Sequence, residues 1–371
     1  MESENDADTG AGQSLEALRA RMSLVNESIM ENLNEYFRVA AAIGQAKDAL
    51  GLAHYDAARE SVMLSELLEK NPGPMPGDIL KRVFGEIFRS SVEVMSRKTE
   101  RTLKILRLPG APDIPVMAGD VAVGGDAPPA LMGGPCAVES REQMRATAGL
   151  LSAHGVKILR GGAYKPRTSP YSFQGLEEEG LIILRETADA FGMRVITEAV
   201  DARQVETVAR YADVIQIGSR NMFNYSLLKE AGGAGRPVFL KRGLMATLDE
   251  FLLAAEYVWL AGCRDIILCE RGVRTFEPRT RNTLDIAAVA LLKQSTPLPV
   301  VVDVSHSLGR KDIVKPVAAA ALAAGADGLM FEAHYRPAVA LSDCNQQLDP
   351  DETVDFLDFL RGLPGFAEKR G

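Results

Sequence analysis

The sequence predicts an α/β protein in which a (β/α)8 barrel follows a small all-helical unit. Three observations predict it. Eight short β-branched runs alternate with helical stretches through residues 131–371. Apolar residues at steps of three and four fill residues 14–106, where no convincing strand is found, and a proline- and glycine-dense stretch, 107–130, separates the two textures. A doubly wound open sheet is the competing arrangement for the second region.

Residues 1–13 are acidic and polar and read as a disordered tail, neither a secretory signal nor a transit peptide. From Ser14, apolar positions at Leu15, Leu18, Met22, Val25, Ile29, Leu33, Tyr36, Ala40 and Ile43 describe one long amphipathic helix ending near Gly51. A stripe of that length needs a partner to cover it. Residues 56–69 read as a second helix, stopped by Asn71-Pro-Gly-Pro, and 76–106 as a third, with Ile79, Val83, Ile87 and Val94 on its apolar face. Residues 107–130 form a linker with a short hairpin. Strands are expected at 131–136, 156–161, 194–198, 214–218, Val238–Lys241, Ile266–Glu270, Val300–Asp303 and Gly328–Glu332.

With 46% hydrophobic and 25% charged residues, the chain of 371 residues has the composition of a soluble globular protein of about two domains. Its mean hydropathy is −0.02. The formal charge of −8 offers no footprint for nucleic acid, and no apolar run reaches bilayer length. Cys136, Cys263, Cys269 and Cys344 have no zinc-finger or CxxC spacing, so a reducing, cytoplasmic location is the default.

Catalytic residues of such a barrel belong at the C-terminal ends of its strands. Those ends carry Cys136; Arg160 with Lys165 and Arg167; Glu198; Arg220; Lys241 and Arg242; Glu270 and Arg271; His306; Glu332 with His334; and Asp343 in the last loop. Five of these cations converging on one mouth imply an anionic ligand with more than one phosphate or carboxylate. Cys136, His306, Glu332 and Asp343 offer a thiolate, an imidazole and two carboxylates, which suit a divalent transition metal with an open position. Taken singly, Cys136 reads more often as a small buried residue and His306 as a structural hydrogen-bonder, so the case rests on all four falling at one end of the barrel.

Here the sequence resembles a known family. GPCAVES (134–140), LRGGAYKPRTSPYSFQG (159–175), ITEAVD (196–201), QIGSRNM (216–222), LKRG (240–243), ILCERGVRTFE (267–277), VDVSH (302–306) and LMFEAH (329–334) are similar to the signature blocks of type Iβ DAHP synthase. The resemblance implies condensation of phosphoenolpyruvate with erythrose 4-phosphate, the first step of the shikimate pathway. It implies a divalent ion (manganese first, with cobalt, iron, zinc or cadmium as alternatives) on Cys136, His306, Glu332 and Asp343. Phosphoenolpyruvate would be held by Arg160, Lys165, Arg220, Lys241 and Arg271, and the aldose phosphate by Arg167 and Thr168. Lys165 would donate a proton to the new hydroxyl, Glu198 would orient or activate water, and His306 would serve the reaction as a ligand. The related synthase that uses arabinose 5-phosphate carries Ala-Asn-Arg-Ser where this chain has Lys165-Pro-Arg-Thr, which disfavours the longer aldose. The family's Asp-Pro-Ser-His is here Asp303-Val304-Ser305-His306, and no ligand is lost. A homotetramer is the family expectation.

Residues 14–105 resemble the all-helical chorismate mutase, through Arg19, Lys47, Asp56, Arg59, Glu60 and Ser91. That enzyme needs no nucleophile; cations clamp two carboxylates and donors meet the ether oxygen. Family members carry arginine at the position of Tyr36 and Gln or Glu at that of Met95, and Met95 cannot donate. Losing one such donor costs ~10²–10³ in rate. The expectation is a module that binds chorismate or prephenate as an effector and dimerises, with weak mutase activity or none; an active second enzyme is the alternative.

Overall fold

The computed structural model describes residues 14–50, 52–98, 103–166, 169, 171–364 and 366. The expected tail, 1–13, lies outside them. The chain divides into two compact units, with the boundary in the sequence between residues 102 and 103.

The first unit holds α1 (Leu15–Ala49), α2 (Ala57–Glu69) and α3 (Gly77–Lys98). Ser14 Oγ accepts from Ala17 N at 3.2 Å to start α1, and Asp56 Oδ1 accepts from Arg59 N at 3.0 Å to start α2. Ala40 and Ala41 of α1 share the small core with Leu80, Phe88 and Met95 of α3. Gly44 permits the close approach: a Cβ there would sit 3.0 Å from Met95 Cβ. By contrast, Leu15, Leu18, Met22, Val25 and Ile29 are all 46–63% exposed, so the described residues of one copy do not cover the predicted stripe.

The third helix stops short of its expected end. Among the described residues it closes at Lys98, and Leu103–Leu106 form a turn instead. Ile105 is 2% exposed and belongs to the core of the second unit. The Lys104 and Ile105 amides donate to the Glu256 carboxylate at 3.0 and 3.2 Å, taking the place of helical acceptors.

The second unit begins with an antiparallel hairpin, β1 (Pro115–Ala118) and β2 (Val121–Gly124). Eight parallel strands then close a barrel: β3 (Ala130–Gly134), β4 (Ile158–Arg160), β5 (Arg194–Ala199), β6 (Val214–Ile217), β7 (Val238–Lys241), β8 (Ile266–Glu270), β9 (Val300–Asp303) and β10 (Gly328–Glu332), with β10 paired to β3. The open-sheet alternative is excluded. Helices α4 (Arg141–Ala153), α5 (Glu177–Ala190), α6 (Val205–Tyr211), α7 (Tyr225–Gly233), α8 (Leu248–Leu260) and α9 (Ile286–Ser295) follow successive strands. After β9 come the short α10 (Val304–Leu308) and α11 (Val314–Ala323), and α12 (Pro350–Arg361) follows β10.

Alternation along each strand sorts the side chains into two cores. Met132, Ile158, Ile196, Val214, Phe239, Ile267, Val301 and Met330 fill the lumen, and Val116, Ala118 and Val123 of the hairpin pack beneath them. Leu159, Val195, Ile215, Leu240, Leu268, Val302 and Phe331 face the helices. The same parity carries the lumen face upward to Arg160, Glu198, Gln216, Lys241, Asp303 and Glu332.

Candidate active site and metal centre

Two glycines make room for the centre. A Cβ on Gly134, at φ 150°, would lie 2.0 Å from Arg160 O, and one on Gly218 would lie 2.1 Å from Glu198 Oε1. Above them, the donor atoms of Cys136, His306, Glu332 and Asp343 all fall within 4.8 Å of one another. They come from the loop just after β3, from α10, from the end of β10 and from the loop after β10. Cys136 Sγ is 3.4 Å from Asp343 Oδ2, and His306 Nε2 is 3.4 Å from Glu332 Oε1 and 3.8 Å from Asp343 Oδ2. Such separations suit groups ~2.0–2.3 Å from one shared ion.

The surrounding shell fixes each donor. His306 Nδ1 meets Asp303 Oδ2 at 2.8 Å, which turns Nε2 toward the other donors. Glu332 accepts from Arg160 at 2.7 Å on Oε1 and from Gln346 Nε2 at 2.6 Å on Oε2. Arg281 lies 3.3 Å from Asp343 and donates to Gln346 Oε1 at 2.9 Å. Asp343 itself holds φ at 48°, a left-handed turn that aspartate tolerates.

Electrostatics agree with a cation here. Burial, then Glu332 and Asp343, push the Cys136 thiol up to about 11, against Lys165. Burial works against ionised Asp343 and Glu332 too. Even so, Arg281 and His306 hold Asp343 down to about 2, and His306 and Arg160 keep Glu332 below the usual range. Burial lowers His306, favouring the neutral imidazole that can ligate. The donor set therefore fits a divalent transition metal.

Beside these donors lies a cavity of about 140 Å³ lined by Arg160, Lys165, Glu198, Arg220, Lys241 and Arg271, together with Gln216, Arg274, Arg281 and Asn282. Lys165 Nζ reaches Cys136 Sγ at 3.1 Å and Cys136 O at 2.9 Å, so it spans the metal donors and the cavity. Glu198 Oε2 accepts from Gln216 Nε2 at 3.1 Å. Arg160 Nε and Arg271 Nη1 are buried N–H groups without an acceptor among the described residues. Burial, with Arg281 and Arg220 nearby, lowers Arg271 despite Asp303. A site that gathers cations and leaves their donors unspent is built for a polyanion.

The five expected anion-binding cations and the four expected donors are thus brought together. Arg167 and Thr168 lie outside the described residues. Arg242 and Glu270 have the opposite strand parity: they pair with each other at 2.8 Å, and Arg242 reaches Asp285 at 3.0 Å, outside the cavity lining. His334 is buried outside the donor group and the cavity lining, its Nδ1 accepting from Arg336 N at 2.9 Å and its Nε2 lying 3.5 Å from Glu139. Sequence reasoning missed Asp303, Arg274, Arg281 and Gln346. Asp303 was within reach of the parity rule; the others sit in loops well past a strand end.

In the helical unit, burial raises the Tyr36 hydroxyl, which is hydrogen-bonded to Ser91 and lies near Glu60. Lys47 Nζ donates to His54 O at 2.8 Å. Asp56 caps α2, and Arg59 is exposed. Arg19 and Lys47 lie on the same helix about 42 Å apart along its axis, at 1.5 Å per residue, so Arg19 cannot join the others within one copy.

Comparisons with known proteins decide the family. Residues 102–364 match the model of the DAHP synthetase I family. The chain belongs to the DAHP synthetase I family. Residues 18–96 match chorismate mutase type II. Among curated relatives, a phospho-2-dehydro-3-deoxyheptonate aldolase of Thermotoga maritima is 55% identical over 237 residues, 64% of this chain and 70% of that one. A 2-dehydro-3-deoxyphosphooctonate aldolase of Rhodopseudomonas palustris is 32% identical over 281 residues, 70% of this chain and 96% of the relative. A crystal structure of the Thermotoga maritima enzyme superposes with a TM-score of 0.67 at 51% identity, covering 70% of this chain and 75% of that one. A truncated form of a Thermotoga maritima 3-deoxy-D-arabino-heptulosonate 7-phosphate synthase gives 0.64 at 47% identity, over 69% and 94%. The enzyme class expected from the resemblance, DAHP synthase, stands with the family, as does the mutase-like unit ahead of it. Among the described residues no helix is long and apolar enough to cross a membrane.

Proposed function

We propose that the barrel joins phosphoenolpyruvate to erythrose 4-phosphate, releasing inorganic phosphate, with a divalent ion, manganese first, held by Cys136, His306, Glu332 and Asp343. The observation that carries this reading is the pair of unspent buried donors, Arg160 Nε and Arg271 Nη1, in a cation-lined cavity beside four convergent metal donors. When bound, the ion supplies Lewis acidity toward the aldehyde carbonyl. Arg160, Arg220, Lys241 and Arg271 bind the phosphate and carboxylate of phosphoenolpyruvate and orient its enol carbon. A carbon–carbon bond forms from that carbon to the aldehyde carbon, and Lys165 Nζ gives a proton to the aldehyde oxygen. Cationic character then develops at the neighbouring carbon. Glu198 orients water, whose oxygen bonds to that carbon as Glu198 takes one proton; the carbon–oxygen bond to phosphate then breaks, the hydroxyl's remaining proton passing to the departing phosphate and leaving a ketone. Arg167 and Thr168 are assigned to the phosphate of the aldose.

The 55% identity to the heptonate enzyme, against 32% to the octonate enzyme, supports the four-carbon aldose. Assayed with each aldose phosphate, the enzyme is expected to turn over erythrose 4-phosphate at least ~10²-fold more efficiently than arabinose 5-phosphate. Equal efficiency refutes the assignment.

For the helical unit we infer an effector-binding, dimerising module for chorismate or prephenate, a second copy bringing Arg19 to Lys47, Arg59 and Glu60. The uncovered apolar stripe of α1 supports pairing. A homotetramer, the assembly expected from the family resemblance, is proposed for the whole chain. Tyr36 and Met95 support weak mutase activity: Met95 is 9% exposed against Gly44 and offers no proton. The double variant Tyr36→Arg, Met95→Gln is expected to raise mutase turnover about 10²-fold or more. Wild-type turnover already at the level of dedicated mutases overturns the sensing reading.

A further inference from the structure

A buried carboxylate outside the metal donor set touches both halves of the site. Asp303 is 0% exposed at the end of β9. Its Oδ2 meets His306 Nδ1 at 2.8 Å and is also in contact with Lys241 Nζ, while its Oδ1 accepts the His306 backbone N–H at 2.9 Å. Lys241 belongs to the anion cavity, whereas His306 presents its other nitrogen to the metal donors. Three donors therefore converge on two oxygens, and the carboxylate's charge is divided between a lysine and an imidazole.

We propose that Asp303 is a positioning residue that couples occupancy of the anion pocket to the affinity of the metal centre. An anion on Lys241 draws that ammonium's charge away from Asp303. The carboxylate then accepts more strongly from His306 Nδ1–H, which makes Nε2 a stronger ligand. By reciprocity, a cation on His306 Nε2 strengthens Nδ1 as a donor, occupies Asp303 and releases Lys241 toward the anion. Asn at 303 breaks the relay for a geometric reason. An amide has one acceptor oxygen for three donors, and its NH₂ would face either the ammonium or the imidazole.

The inference rests on the reading above, and its test separates the two. Co²⁺ binding is titrated by visible absorption, with and without phosphoenolpyruvate, in the full chain. Wild type is expected to bind Co²⁺ about fivefold or more tightly when phosphoenolpyruvate is present. In Asp303→Asn that factor is expected to fall at least about threefold, leaving only direct attraction between anion and cation. Lys241→Met, with its fold checked by thermal melting, is expected to bind Co²⁺ more tightly than wild type in the absence of phosphoenolpyruvate, because Asp303 is then undivided. It decides the matter alone if Asp303→Asn binds no Co²⁺. An unchanged factor in Asp303→Asn, or Lys241→Met binding no tighter than wild type, overturns the relay. Wild type that binds Co²⁺ and phosphoenolpyruvate separately but without coupling overturns the relay alone, whereas failure to bind either one overturns the metal-and-anion reading as well.

Discussion

Replacing Cys136 by alanine is expected to lower kcat about 10³-fold or more, to the level of wild type treated with chelator. The sulfur is 0% exposed and lies among Asp343, Lys165 and the other two donors. Alanine nearly conserves the volume, so the fold should persist and the loss should track metal content. Because burial and the neighbouring acids raise the thiol to about 11, it is protonated at neutral pH in the metal-free protein. Binding must then expel that proton, and wild-type affinity should rise with pH, by up to about tenfold per unit below that value. The alanine variant should show a shallower slope. Metal analysis, kcat and the slope are measured together; full activity in a variant that still holds stoichiometric metal would show that the thiol is no ligand.

That Cys136 could be named from sequence follows from barrel geometry. Runs of Val, Ile and Leu locate the strands, four of them to the residue, because strands buried on both faces carry little else. Their C-terminal ends then collect the chemistry. Period-two alternation separates Lys241 from Arg242 and Arg271 from Glu270, since Phe239 and Ile267 lie in the lumen while Leu240 and Leu268 lie under the helices. Local pattern fails where tertiary contact decides. Leu103, Ile105 and Leu106 continue the spacing of α3, yet Ile105 is taken by the barrel core and its amide by Glu256, 151 residues away. Arg281 and Gln346 meet each other and Asp343 across two loops, and nothing in the spacing of either loop specifies the meeting.

The same contest between local pattern and long-range contact sets the outcome at Arg160. Its guanidinium bonds Glu332 Oε1 and Pro135 O, both at 2.7 Å, with the two side chains 5% and 0% exposed. Removing one member of a buried pair leaves the other charge uncompensated, at ~3–5 kcal/mol. Arg160→Ala is therefore expected to lose about that much stability in the metal-free protein. Mn²⁺ should recover part of the loss, since a cation beside Glu332 takes over the missing charge. Activity should not recover with it. The Nε–H that lacks an acceptor among the described residues is assigned to the anion, so kcat/KM for phosphoenolpyruvate should stay down about 10²–10³-fold at saturating metal. Arg160→Lys should keep more stability than activity, because an ammonium can face Glu332 but cannot fork to Pro135 and the anion at once. Thermal melts with and without Mn²⁺, set beside steady-state kinetics, separate the two roles. Equal destabilisation in the presence and absence of metal would mean that Glu332 and the ion do not share a site.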